Sequence, residues 1–261
     1  MSLIDVHCHL DAAAYPDPEA VCQQSRDAGV SAVVAAGMGH ASNLQILALH
    51  QRFPTQVWAA LGFHPERLDA TWTELEQVLE QIGAHRDRIV AMGEIGLPHY
   101  TRLDGRMSDA QAQQQEARLH TLVQAAARLA LPVVLHAPHA TAAVALQIVK
   151  RYAPPGAVFH WHKSSPETTV AICEAGYYIS VTPEVCYRER DRQLVQSVPL
   201  RHLLVESDGP WAYDGEFAGQ RTTPALVARV AQEIARLKGV SLAEVQAVTA
   251  VNVHRVFGLA A

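Results

Sequence analysis

Short apolar runs alternate with helix-length stretches along almost the whole chain, and this alternation restricts the fold more than any other feature. The runs are Leu3-Ile4 leading into Asp5-Val6-His7-Cys8-His9, then 31–36, 57–61, 89–92, 133–135, 157–159, 177–181 and 202–205. Helical stretches lie between them at 18–28, 41–52, 72–82, 108–130, 140–152 and 166–175. Further helices near 223–237 and 241–250 and a last turn over 253–259 complete the chain. The longest shows the pattern best: Leu119, Leu122, Val123, Ala126 and Leu129 recur at spacings of three and four, one face of a helix, and Pro132 stops it. Strands separated by helices pair in parallel, because a parallel pair needs a crossover between its members. Eight such units predict an α/β protein, a single (β/α)8 TIM barrel over residues 1–261, a length ordinary for that fold. An open doubly wound sheet is disfavoured, since no G-x-G-x-x-G follows the first strand.

In a barrel of this kind chemistry sits at the carboxyl ends of the strands. Those ends carry His7 and His9, His64, Glu94, His136, His160 and Asp208. On the first strand a period of two sends Ile4, Val6 and Cys8 one way and Asp5, His7 and His9 the other, so two imidazoles share a face. One His-x-His is often only a polar strand edge. Five further ligand-type residues at strand ends are not explained by packing, and together they predict a divalent-metal site. The loops 98–110 and 209–222 are long and are expected to shape its mouth.

A net charge of −5 argues against wrapping a nucleic-acid duplex, which needs a basic face, but leaves room for a strand end held by metal ions. No apolar run approaches the roughly 18 to 20 residues of a membrane span, and no basic-then-apolar segment opens the chain. The cysteines at 8, 22, 173 and 186 form no C-x-x-C pair and read as buried thiols in a reducing compartment. A cytoplasmic protein without membrane partners is expected.

The chain resembles the TatD family of metal-dependent hydrolases, within the amidohydrolase-like barrels. The resemblance rests on Asp5-x-His7-x-His9, Gly62-Phe-His64-Pro65, Gly93-Glu94-Ile-Gly-Leu97, Pro132-Val-Val-Leu-His136, Val158-Phe-His160 and Glu206-Ser-Asp208-Gly-Pro210. It implies one or two divalent ions (Mg, Mn or Zn), with His7, His9 and Asp208 holding one, His136 and His160 a second, and Glu94 bridging. It implies hydrolysis of phosphodiesters, such as single-stranded DNA attacked from its ends, by a metal-activated water, with Asp208 as general base.

Several positions depart from the family pattern. Pro98-His99-Tyr100 stands where the family has aspartate after Gly-Leu, Pro138 where it has arginine, and Ser207 where it has threonine. His64, Lys163 and Arg221 are the candidate substrate contacts, and Trp161 and Trp211 are candidates for stacking on a base. The arginines at 188, 190 and 192 read as an exposed helix face beside Glu184, Glu189 and Asp191. Loss of the phosphate-binding arginine leaves a second reading, a metal-dependent amidohydrolase or lactonase acting on a small carbon-centred substrate.

Overall fold

The computed structural model describes residues 2–11 and 15–259. Eight parallel strands follow one another in sequence order: β1 (Leu3–Cys8), β2 (Val30–Ala36), β3 (Val57–Leu61), β4 (Ile89–Gly96), β5 (Val133–His136), β6 (Ala157–His160), β7 (Tyr178–Val181) and β8 (Leu203–Val205). Around them lie α1 (Pro18–Asp27), α2 (His40–Arg52), α3 (Trp72–Ala84), α4 (Tyr100–Leu103), α5 (Asp109–Arg128), α6 (Thr141–Tyr152), α7 (Pro166–Glu174), α8 (Glu189–Ser197), α9 (Val227–Lys238) and α10 (Leu242–Phe257). Local chemistry sets their starts. Asp17, Ser108, Ser165 and Ser241 each accept a backbone N–H from the first turn, and Pro18 and Pro166 occupy first-turn positions where no intrahelical N–H is needed.

The result is a (β/α)8 barrel. Its interior is filled by Ile4, Val6, Ala32, Val34, Ala60, Ala91, Val134, Val158 and Leu204, with Val253, Val256 and Phe257 of α10 packed against them. Branched side chains dominate this filling, with alanines between them. Outward strand faces pack on the helices in a second, larger cluster.

At the seam between β8 and β1, backbone and side chain share the closure. Asp208 N–H donates to His7 O (2.9 Å) and His9 N–H to Gly209 O (2.8 Å). The fully buried Asp5 carboxyl accepts from Ser207 N–H (3.0 Å) and Ser207 Oγ (2.5 Å).

Four details differ from the sequence reading. Ile4 and Val6 join the barrel interior while Leu3 and Cys8 join the outer cluster, and the register against β2 slips between Asp5 and Cys8. That irregularity lets Val6 and His7 both turn inward, so strict alternation fails one residue before the histidines. The expected last turn at 253–259 belongs to α10, which no glycine or proline interrupts before Gly258. The loop at 98–110 holds the short helix α4, and α8 supplies the crossover between β7 and β8. Cys8 and Cys22 are buried, but Cys173 and Cys186 are only half-buried.

Candidate metal centre

Glu94 lies at the middle of the strand ends. It is 1 % exposed, and its two carboxylate oxygens face different partners. Oε1 lies 2.7 Å from His160 Nε2, 2.8 Å from His136 Nδ1 and 3.3 Å from His64 Nε2. Oε2 lies 3.4 Å from His7 Nε2 and 3.2 Å from His9 Nε2, yet carries no hydrogen bond. Close backbone packing fixes Glu94 there. A Cβ on Gly62, next along the barrel, would sit 2.2 Å from Glu94 N and 2.3 Å from Glu94 O, so only glycine fits.

Asp208 approaches from β8, its Oδ1 3.4 Å from His7 Nε2 and 3.7 Å from His9 Nε2. The two imidazole nitrogens are themselves 3.3 Å apart. The three separations among His7 Nε2, His9 Nε2 and Glu94 Oε2, 3.2–3.4 Å, and the two from Asp208 Oδ1 to the imidazoles, 3.4 and 3.7 Å, lie close to the edges, about 3.3–3.6 Å, of a tetrahedron around a cation held at 2.0–2.2 Å. A buried carboxylate oxygen without a hydrogen bond beside two imidazole nitrogens is a donor set for a divalent ion. The trio His64, Glu94 and His136 forms a second close set, and His7, His160 and Glu206 a third.

The electrostatics agree with a charged centre. Burial works to raise Glu94, but His64, His160 and His7 hold it well below the usual carboxylate range. Burial also works against protonation of His9, and the Glu94 carboxylate outweighs it, pushing His9 up to about 9. His7 is pushed down by burial and by His160. Burial pushes the Asp208 carboxyl up, opposed by His7, His160 and His9. Asp208 also has φ +46°, a left-handed conformation tolerated by aspartate and held here by the seam hydrogen bonds.

Two carboxylates to which the sequence reading gave no role support these groups. Glu206 accepts from Trp161 N–H (2.6 Å) and Ser180 Oγ (2.6 Å) and stands 3.6 Å from His160 Nδ1, behind the ring. Glu66 Oε1 is 3.3 Å from His136 Nε2, and the same carboxylate accepts the backbone N–H groups of His99, Tyr100 and Thr101 at 2.7–2.9 Å. Glu66 therefore ties the segment carrying Tyr100 to the centre. Glu66 had no sequence signal beyond lying two residues from His64, whereas Glu206 stands in the motif that ends at Asp208 and Pro210.

A cavity of about 890 Å³ opens over Glu94 and Asp208. Lys163 lines it, Nζ 3.1 Å from Tyr100 OH and 3.4 Å from the Trp161 ring centroid. Trp161 and Trp211 meet edge to face at 5.2 Å, with Trp211 54 % exposed. Both long loops contribute, through Tyr100 and Arg106 and through Pro210 and Trp211. Arg221 does not line this cavity: it is exposed, because Thr222 is buried beside it and its carbonyl is held by Tyr15 OH (2.5 Å). The arginines at 188 and 190 are committed to Glu184, at 2.6 and 2.5 Å.

Comparison with known proteins gives the same picture. Residues 4–258 match the family described as TatD related DNase. An uncharacterized metal-dependent hydrolase of Haemophilus influenzae is 29 % identical, the alignment covering 98 % of this chain and 100 % of that protein. A 3'-5' ssDNA/RNA exonuclease TatD of Erwinia tasmaniensis is 28 % identical over 98 % of this chain and all of its own. The crystal structure of YJJV, a TatD homolog from Escherichia coli K12, superposes with a TM-score of 0.89 at 28 % identity, covering 99 % of this chain and 98 % of that one.

Proposed function

Because the chain belongs to the TatD related DNase family, we propose that it is a divalent-metal-dependent phosphodiesterase, a deoxyribonuclease acting on single-stranded DNA ends. The observation that carries this reading is the division of Glu94, one oxygen toward His64, His136 and His160 and the other toward His7 and His9, which Asp208 faces from its own side. His7, His9 and Asp208 would hold one ion and His136 and His160 a second, with Glu94 between them. Oxygen and nitrogen donors without thiolate suit Mg, Mn or Zn. Bound there, a divalent ion supplies Lewis acidity and lowers the pKa of water toward neutrality.

The chain's own groups do the rest. Asp208, buried and pushed up from the usual carboxylate range, accepts the proton of the attacking water. Glu206 holds the His160 ring, and Glu66 holds His136 and the Tyr100 loop. Lys163, a half-buried cation on the cavity wall, lies where it can meet a phosphate oxygen in place of the arginine that Pro138 replaces. Trp211 offers a face to a base.

The test is hydrolysis of end-labelled single-stranded DNA by chelator-stripped protein restored with Mg, Mn or Zn, beside Asp208→Asn. Metal-restored wild type is expected to shorten the strand from its ends, and Asp208→Asn to be slower by roughly 10²–10⁴-fold. Untouched DNA, RNA and simple phosphodiesters, with metal-dependent turnover of lactones or cyclic amides instead, would replace this reading with carbon-centred hydrolysis.

A further inference from the structure

We propose that the cavity takes a single terminal nucleotide unit and that the remainder of a strand makes no ionic contact with the protein, so that dinucleotides and long strands are equivalent substrates. This rests on the phosphodiesterase reading above and specifies its substrate class.

The argument starts from the cations. Among the described residues, the cavity is lined by two, Arg106 and Lys163. Arg106 Nη2 is paired at 2.9 Å with Asp104 Oδ2, itself a lining residue, so this pair brings no net positive charge. Lys163 Nζ meets Tyr100 OH and the Trp161 face, and among the described residues no carboxylate lies within ion-pair distance of it. One uncompensated cation therefore serves the whole cavity outside the candidate metal centre.

Beyond the cavity the same pattern continues. Arg102 is paired with Asp109, Arg188 with Glu184 and Asp214, Arg190 with Glu184 and Asp191, and Arg192 with Glu233. Arg221 alone among the arginines of these rim loops forms no ion pair among the described residues. Proteins that track a single strand present a positively charged groove along its backbone. Here that ground is neutralised pair by pair except at Arg221, which does not line the cavity, and the chain as a whole is at −5.

The dimensions agree. A volume of about 890 Å³ lies within the size of small-ligand pockets rather than of a channel. Its aromatic wall, Trp161 against Trp211, has one exposed indole face for one base. A terminal nucleotide with its phosphate on Lys163 uses every feature of the cavity, and the rest of the strand is left in solvent.

The experiment is steady-state hydrolysis, at fixed metal concentration, of deoxyoligonucleotides of two, four, ten and twenty residues over a range of KCl. Quenching of tryptophan fluorescence by the same strands is followed in parallel. The expected result is KM and quenching midpoints within about threefold across the lengths. The slope of log affinity on log salt is expected to be no steeper than about −1.4, the value for two single-strand phosphate contacts. Lys163→Ala should weaken all four lengths by the same factor. A midpoint falling more than threefold with length, or a steeper slope, overturns the proposal while leaving the phosphodiesterase reading intact. No hydrolysis of any length, with no quenching, overturns both.

Discussion

Glu206 shows how much a buried group can do without touching a substrate. Its oxygens take the Trp161 N–H and the Ser180 hydroxyl, which fixes the carboxylate behind the His160 ring. Carboxylates placed behind metal-facing imidazoles set the ring's tautomer and orientation, and their removal typically costs 10–100-fold. Glu206→Gln is expected to lower kcat/KM or metal affinity within about that range while the far-ultraviolet circular dichroism stays native; unchanged kinetics would make Glu206 a packing residue. Lys163 gives a second prediction. Burial pushes its ammonium down to about 8 from the ordinary 10.5. Below that pH it is charged and able to meet phosphate, and as pH rises through about 8 the charge is lost, so KM should rise there. Lys163→Arg should move that rise upward; a KM profile flat to pH 10 in wild type would remove Lys163 from phosphate binding.

At the scale of elements, the sequence exposed the strand ends and hid what lies between them. Each βα unit announces itself through a short apolar run and a polar stop, so His9, His64, Glu94, His136, His160 and Asp208 were legible as neighbours before any coordinates. The slip in β1 was not legible, because a bulge leaves the apolar pattern unchanged and only redirects side chains. Glu66 and Glu206 were hidden for a similar reason: a carboxylate in a loop looks solvated until the backbone N–H groups it accepts are in place. The extent of α10 was also missed, although Val253, Val256 and Phe257 have helical spacing. These residues close the lower end of the barrel interior, away from the candidate site. Phe257→Ala should cost about 3–5 kcal/mol, a drop of roughly 6–20 °C in Tm, with kcat of the folded protein preserved. Loss of activity in parallel with an unchanged Tm would contradict that division of labour.

Across the whole molecule, folding concentrates buried carboxylates and imidazoles at one point, where a bound cation would satisfy them together. Glu94 and His7 are essentially fully buried, Asp208 and His136 are 9 % exposed, and Asp5 and Glu206 lie just beneath. The unpartnered Glu94 Oε2 and the His7 and His9 nitrogens meeting at 3.3 Å are arrangements that cost free energy in an empty pocket. A ligand that binds only the folded chain stabilises it by about 2.7 kcal/mol at a hundred times its Kd. For a chain of this size 1 kcal/mol corresponds to about 2–4 °C, so saturating Mg, Mn or Zn should raise Tm of the chelated protein by roughly 5–11 °C. Glu94→Gln should abolish most of that rise, because it removes the charge that serves both sets of donors. Because imidazoles must be neutral to bind, the rise should shrink as pH falls. Calorimetric scans with and without chelator at two pH values measure all of this, and an unchanged Tm in every arm would mean that the strand-end cluster holds no ion.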